Sequence, residues 1–328
     1  MPDLEHTPAQ DQYLQISANI FKCLSQTKPP VAYHFFDTRI GSVKLLHPAG
    51  QRVPKVLIPR LEELCAEGNL FLNRTEYRAF AESLSKDLGV LATEELLNAE
   101  EVAGIFSHAL AVNLDEFISQ PLGQPYSQLV KDVAILCEYV WASPKRALPF
   151  PRTPGTEHTL ALQSAGTCLT GLAIHTVLEH VHLDPGAMAR LALGLLLHDI
   201  GMINVIVTKL GKEGPLLNAE KASIKNHTAI GVKILDRLRQ QHVEIPPEVD
   251  LCVKEHHERY NGKGYPLALR GDKISPAGRI CAVADSYCAM VTKRPHAKAL
   301  PQQKAAEILA ADDGYDPVLT RILARLVG

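Results

Sequence analysis

The chain has 328 residues, 46% hydrophobic and 21% charged, enough for two compact domains with a core each. With 34 basic against 36 acidic residues the formal charge is −2, which excludes a global field drawing in nucleic acid or an anionic membrane. An anionic ligand must then be held by local positive charge, such as metal ions.

Asp3, Glu5 and Asp11 stand where a signal peptide would carry basic residues and an apolar run, and no segment approaches a membrane span. The seven cysteines form no CxxC pair and mostly sit among apolar neighbours, the pattern of buried thiols in a reducing compartment. A cytoplasmic protein is expected, with neither DNA, RNA nor membrane as partner. Val31 to Phe36 and Ser42 to Leu46 have the composition of short strands around a turn at Asp37–Gly41. Arg60 to Cys65 is helical in spacing and ends near Gly68; Asn69 to Leu72 suggests another strand, Thr75 to Ala81 a helix, and Thr93 to Trp141 a long helical stretch. Residues 1–145 are thus expected to form an α+β domain, regulatory or partner-binding.

Pro144, Pro149, Pro151 and Pro154 forbid a continuing helix and place a linker at 146–156. Beyond it nearly everything reads as helix. Ala187 to His198 is apolar on almost all sides; Ile230, Ile234, Leu235 and Leu238 share a stripe; Ile280 to Met290, Ala305 to Leu309 and Leu319 to Leu326 add three more. The expected fold class is mainly α: an all-α bundle over 157–328 with a smaller N-terminal α+β domain.

Within the bundle, His198-Asp199 ends a buried apolar helix, where such a pair needs partners to offset desolvation. Either it binds metal or its members pair with each other. An adjacent His-Asp offers an imidazole and a carboxylate able to bridge two ions; His227, His256, His257 and Asp285 supply three more imidazoles and a second carboxylate. A donor set without thiolate suits iron, manganese or another borderline divalent ion better than a structural zinc. Gly262 and Gly264 permit a tight loop by positive φ or close backbone approach, and Tyr265-Pro266 stiffens its exit.

His198-Asp-Ile-Gly201, His227 in Asn-His-Thr-Ala-Ile-Gly231, and His256-His-Glu-Arg-Tyr-Asn-Gly-Lys-Gly-Tyr-Pro266 resemble the HD-GYP family, a bacterial branch of the HD-domain phosphohydrolases. The intervals from His198 to His227 and from His227 to His256 are both 29, as the family pattern leads one to expect. Arg279 to Asp285 and Lys293 to Lys298 occupy the remaining motif positions, so the resemblance covers about Glu157 to the end. More weakly, His47-Pro-Ala-Gly50 and Asn73-Arg-Thr-Glu-Tyr77 look like a small α+β domain sometimes found ahead of this module.

The resemblance implies an HD-type helical bundle and phosphodiesterase action on cyclic di-GMP, to pGpG or GMP, with two divalent ions, iron or manganese. By that resemblance one ion takes His198, Asp199 and Asp285, and the other Asp199, His227, His256 and His257; His198 and Asp199 are the catalytic pair. Arg294, Lys298 and Tyr265 are the implied substrate contacts. The loop of Gly262, Gly264, Tyr265 and Pro266 is implied at the active-site rim and in docking partners such as GGDEF-type proteins.

Three departures bear on activity. Met202 stands where the family's HDxGK has lysine, and His296 and Ala297 replace the tyrosine and arginine of its RPYR run. The family's first histidine ligand has no counterpart at its spacing: gapless counting falls on Gly166, the nearest local match is Gln163-Ser164, and His158 and His175 are misplaced substitutes. These departures open a second reading, a catalytically weak or inactive cyclic di-GMP receptor or docking module that keeps the metal site.

Overall fold

The computed structural model describes residues 12–17, 20–21, 24, 28–76, 79–80, 83, 88–93, 97–121, 123–153, 159–179, 182–203, 224–293 and 298–328. It divides into two compact units, Met1–Ile105 and Phe106–Gly328.

In the first unit β1 (Tyr13–Gln15), β2 (Tyr33–Asp37), β3 (Ser42–His47) and β4 (Phe71–Asn73) form an antiparallel sheet in the order β1-β4-β2-β3. The β2–β3 hairpin pairs Asp37 with Ser42. Its turn is held by Asp37, whose carboxylate accepts from the Arg39 amide at 3.1 Å, and by Gly41 at φ +65°, which costs glycine no steric strain. Helix α1 (Ile58–Ala66) has a proline in its first turn, where no helical donor is lost, and buries Leu61, Leu64 and Cys65. Strand β1 goes unread in the sequence because three residues are too few to display alternation. Of the helix expected over Thr75 to Ala81, residues 77–78 and 81 lie outside the described residues, and 74–76 form a 3-10 turn.

The helical stretch expected over 93–141 is two helices, α2 (Ala99–Ser119) and α3 (Gly123–Ala142). Pro121 between them has no N–H to continue the ladder and disfavours helix in its predecessor. The proline-rich stretch lies within the second unit and forms two 3-10 turns, Pro144–Ala147 and Phe150–Arg152. Phe150 and Pro151 are buried, and the Tyr287 hydroxyl donates to the Pro151 carbonyl at 2.8 Å.

The bundle continues with α4 (Leu160–Leu178), α5 (Pro185–Leu197), α6 (His227–Gln240), α7 (Pro247–Glu255), α8 (Pro276–Val291), α9 (Gln302–Ala311) and α10 (Pro317–Val327). Three starts share one device. Asp184, Ser275 and Asp316 each accept from a first-turn amide with their side chain, and each precedes a proline whose fixed φ suits the first helical position. Helix α4 is buried on nearly every side and packs against α5 and α8; α5 in turn packs against α3 and α7. Each leucine so buried contributes about 1.5–3 kcal/mol. The protein is therefore mainly α, an all-α bundle following a smaller α+β part. Cys65, Cys137, Cys168, Cys252 and Cys281 are free and buried, and no helix among the described residues is long and apolar enough to cross a membrane.

Candidate metal centre

Four segments deliver the His/Asp cluster. His198 caps the C-terminal end of α5, Asp199 follows before the short 3-10 turn Ile200–Met202, His227 opens α6, His256 and His257 follow α7, and Asp285 lies within α8. Helix ends thus carry His198, His227 and His256, whereas Asp285 projects from the middle of a buried helix. His198, His227 and His256 are almost wholly buried, while Asp199, His257 and Asp285 are part-exposed and form the solvent side.

The three buried imidazoles are oriented alike. The Nδ1 of His198 lies 2.8 Å from the Leu195 carbonyl, that of His227 2.6 Å from the Ile224 carbonyl, and that of His256 2.8 Å from the Cys252 carbonyl. A carbonyl only accepts, so each Nδ1 bears a proton, and each Nε2 is the atom that holds the lone pair when the ring is neutral. Those Nε2 atoms converge on Asp199: His227 at 3.2 Å and His256 at 3.4 Å from Oδ1, His198 at 3.5 Å from Oδ2. His198 Nε2 also lies 3.5 Å from Asp285 Oδ1.

One donor atom from each of Asp199, His227, His256 and His257 falls within 4.8 Å of the others, and the same holds for His198, Asp199 and Asp285. Asp199 belongs to both groups. The residues fit cations on their own geometry: His198 Nε2 is buried without a hydrogen-bond partner, and the Nε2 atoms of His227 and His256 face each other at 3.0 Å. Two lone pairs at that distance repel unless positive charge lies near them.

The cluster's electrostatics follow. Burial works against the His198 imidazolium, yet Asp199 and Asp285 outweigh it and raise its pKa to about 9. Burial likewise opposes ionisation of the two carboxylates, but His198 and its imidazole neighbours hold Asp199 well below its usual range and depress Asp285. Burial and then neighbouring imidazoles push His256 and His257 down, which keeps their lone pairs free. Burial, then Asp199, raises the Tyr265 phenol.

The loop after His257 closes over the cluster. Gly262 adopts φ +79°, and a Cβ at Gly264 would lie 2.3 Å from the Arg259 amide, so the two glycines meet different needs, one of conformation and one of space. The Tyr265–Pro266 peptide is cis, and the Tyr265 ring stacks on His257 at 4.6 Å. Glu258, 1% exposed, anchors the loop by accepting from the Leu267 amide at 2.6 Å and the Leu269 amide at 2.9 Å.

An HD domain family model matches residues 157–319. A cyclic di-GMP phosphodiesterase of Thermotoga maritima is 37% identical over 132 residues, 40% of this chain and 35% of the relative. Another, of Pseudomonas aeruginosa, is 30% identical over 245 residues, 73% of this chain and 56% of the relative. The chain belongs to the HD-GYP family. A 3'3'-cGAMP-specific phosphodiesterase of Vibrio cholerae is 34% identical over 129 residues, 39% of this chain and 24% of the relative. An HDG"Y"P protein of Bdellovibrio bacteriovorus shares the fold, with a TM-score of 0.61 at 17% identity over 96% of this chain and 99% of that one. The chain thus spans between 24% and 56% of these curated relatives' lengths.

Of the other HD-GYP positions, Met202 is half-buried in the 3-10 turn, and Lys298 is exposed. Arg294, His296, Ala297 and His158 lie outside the described residues. Gln163 on α4, not Gly166, reaches the cluster: its Nε2 donates to Asp285 Oδ1 at 2.8 Å and to the Asp285 carbonyl at 3.1 Å. His175 sits on α4 twelve residues further on, about 18 Å along the axis. Sequence reading missed Lys225, whose Nζ lies 5.0 Å from the Tyr265 ring centre, and gave Glu258 no separate role although it stands in the HHE triplet.

Proposed function

We propose that this chain hydrolyses the phosphodiester bonds of cyclic di-GMP, to pGpG or GMP, at a centre holding two divalent cations, iron or manganese. The observation that carries the reading is the set of three imidazoles pinned through Nδ1 with their Nε2 atoms on one carboxylate, Asp199. One cation is assigned to Asp199, His227, His256 and His257, and the other to His198, Asp199 and Asp285, the two groups whose donor atoms lie together. When bound, such cations offset charge on a phosphoryl oxygen and acidify the attacking water.

The chain's own residues prepare the site. Asp199, kept ionised by His198, is the shared carboxylate; Tyr265, kept a neutral phenol, is a donor to substrate phosphate at the rim. Lys225 beside it gives local positive charge to a chain that has none overall, and Arg294 and Lys298 are the further phosphate contacts that the family resemblance implies. The loop from Gly262 through Pro266 is the docking edge for a GGDEF-type or other signalling partner, a reading supported by Leu267, 62% exposed just beyond it. Five buried, free cysteines, Cys65, Cys137, Cys168, Cys252 and Cys281, support action in the cytoplasm.

Met202, a thioether where HDxGK has an ammonium group, favours a second reading, a receptor that binds the dinucleotide without turning it over. The two separate in one assay. Metal-loaded protein is incubated with cyclic di-GMP and, in parallel, with 3'3'-cGAMP, and both binding and products are followed beside Asp199→Ala. Product from cyclic di-GMP that disappears in Asp199→Ala supports hydrolysis. Binding without product establishes the receptor, and product unchanged in the variant overturns the site.

A further inference from the structure

The two halves of the cluster differ in what completes them. Asp199, His227, His256 and His257 offer three imidazoles and a carboxylate. His198, Asp199 and Asp285 offer one imidazole and two carboxylates, and beside them stands Gln163, 5% exposed.

The Gln163 amide has a fixed orientation. Its Nε2 faces two acceptors, Asp285 Oδ1 at 2.8 Å and the Asp285 carbonyl at 3.1 Å, and turning the amide over would set its oxygen against both. Its Oε1 is then left buried with no hydrogen-bond partner. The other unpartnered polar atom in this corner is His198 Nε2, itself 3.5 Å from Asp285 Oδ1. A buried amide oxygen that lacks a donor, beside an imidazole nitrogen and the Asp285 carboxylate, calls for a positive ligand or the water it carries.

We propose that Gln163 completes a second, weaker cation site with His198, Asp199 and Asp285, one suited to a hard divalent ion such as Mn2+ or Mg2+, so that the two ions of the centre bind in sequence. Oxygen-rich donor sets favour hard ions, and a neutral amide oxygen binds borderline ions less tightly than an imidazole. The imidazole-rich group fills first. Gln163 acts in two ways: its Nε2 holds the Asp285 carboxylate in place, and its Oε1 supplies the neutral oxygen. This rests on the metal-centre reading and is independent of whether the dinucleotide is cleaved.

The test is a titration of the chelator-stripped full chain with Mn2+, following free ion by electron paramagnetic resonance. Wild type is expected to bind one ion tightly and a second at least tenfold more weakly. Gln163→Leu, similar in size but without polar atoms, should lose the second step and keep the first. Gln163→His should bring the second step to within about threefold of the first. Two equally tight steps in wild type, or a second step unchanged in Gln163→Leu, would overturn the proposal. Gln163→Glu guards against a folding defect in the leucine variant: it restores an oxygen donor and should recover the second step, and failure to recover it in a protein with a wild-type first step also counts against the role of Gln163. A chain that binds no Mn2+ at all would instead sink the metal centre as a whole.

Discussion

Gly201→Ala tests how the HD-GYP backbone holds its ligands. A Cβ at Gly201 would lie 1.9 Å from the His227 carbonyl oxygen, 2.6 Å from the Gly231 amide nitrogen and 2.8 Å from the His227 carbonyl carbon. All three belong to the first turns of α6 and none can rotate aside. Ordinary contact begins near 3.4 Å, so the start of α6 must retreat by about 1.5 Å. His227 rides on that turn, with its Nε2 3.2 Å from Asp199 Oδ1. Metal–ligand distances tolerate roughly 0.2 Å, so the displaced imidazole leaves ligand range. Overpacking of this kind costs about 1–3 kcal/mol, which in a unit of this size lowers Tm by roughly 2–12 °C. Even an outer partner of a metal site is worth about 10–100-fold in affinity, so loss of a direct ligand should weaken the imidazole-rich ion at least tenfold. Calorimetry of the metal-free protein reads the first effect and an anaerobic ion titration the second. Gly231→Ala is the control: its Cβ would meet Val253 Cγ1 at 2.7 Å and Ile200 Cγ2 at 3.4 Å, side chains able to yield, so its effects should be smaller. A Gly201→Ala protein with wild-type Tm and ion affinity, or a Gly231→Ala protein more damaged than it, would refute the reasoning.

Asp199→Asn removes the carboxylate shared by both donor groups and should abolish tight binding of either ion while the protein stays folded; retention of two ions by elemental analysis would contradict the shared role. Glu258→Ala leaves the Leu267 and Leu269 amides without their acceptor and should cost about 2 kcal/mol in urea unfolding, with Glu258→Gln losing less; an unchanged midpoint in the alanine variant would show that the loop is anchored otherwise. Tyr265→Phe keeps the stack on His257 and loses only the hydroxyl, so ion affinity should hold while KM for the dinucleotide rises several-fold; an unchanged KM would remove the phenol from substrate contact. In metal-free protein the raised His198 pKa makes its carboxylate pairing fully stabilising below the ordinary histidine value of 6.5 and lost as pH rises through about 9. The depressed His256 and His257 act oppositely: the unfolded chain takes up protons there first, so stability falls as pH drops below 6.5. The cluster's contribution to metal-free Tm should therefore peak near neutral pH and decline toward 9, with a shallower alkaline decline in Asp285→Asn; equal alkaline declines in variant and wild type would contradict the pairing.

The donors were legible in the sequence because each sits in a local signal: a His-Asp pair ending an apolar helix, a His-His doublet, a carboxylate inside a buried run. What surrounds them was not, for reasons that differ by residue. Gln163 lies one helical turn from the position reached by gapless counting, and an amide carries no ligand signature; only the approach of α4 to α8 shows that it meets Asp285 rather than solvent. Lys225 is an ordinary surface lysine until the fold of the loop after His257 brings the Tyr265 ring beneath it. Gly201 stands in the motif without a visible reason, since its φ is not positive; its purpose is space, a requirement set by the start of α6. The same distinction governs the fold. Helices with long periodic faces and Asp-Pro or Ser-Pro starts are written locally, whereas β1, three residues whose partner β4 lies almost sixty positions away, exists only through its pairing. In this site the candidate ligands are specified by residue type and their spacing by backbone contact. A substitution that leaves every donor in place, such as Gly201→Ala, is therefore expected to disable the centre as surely as one that removes a ligand.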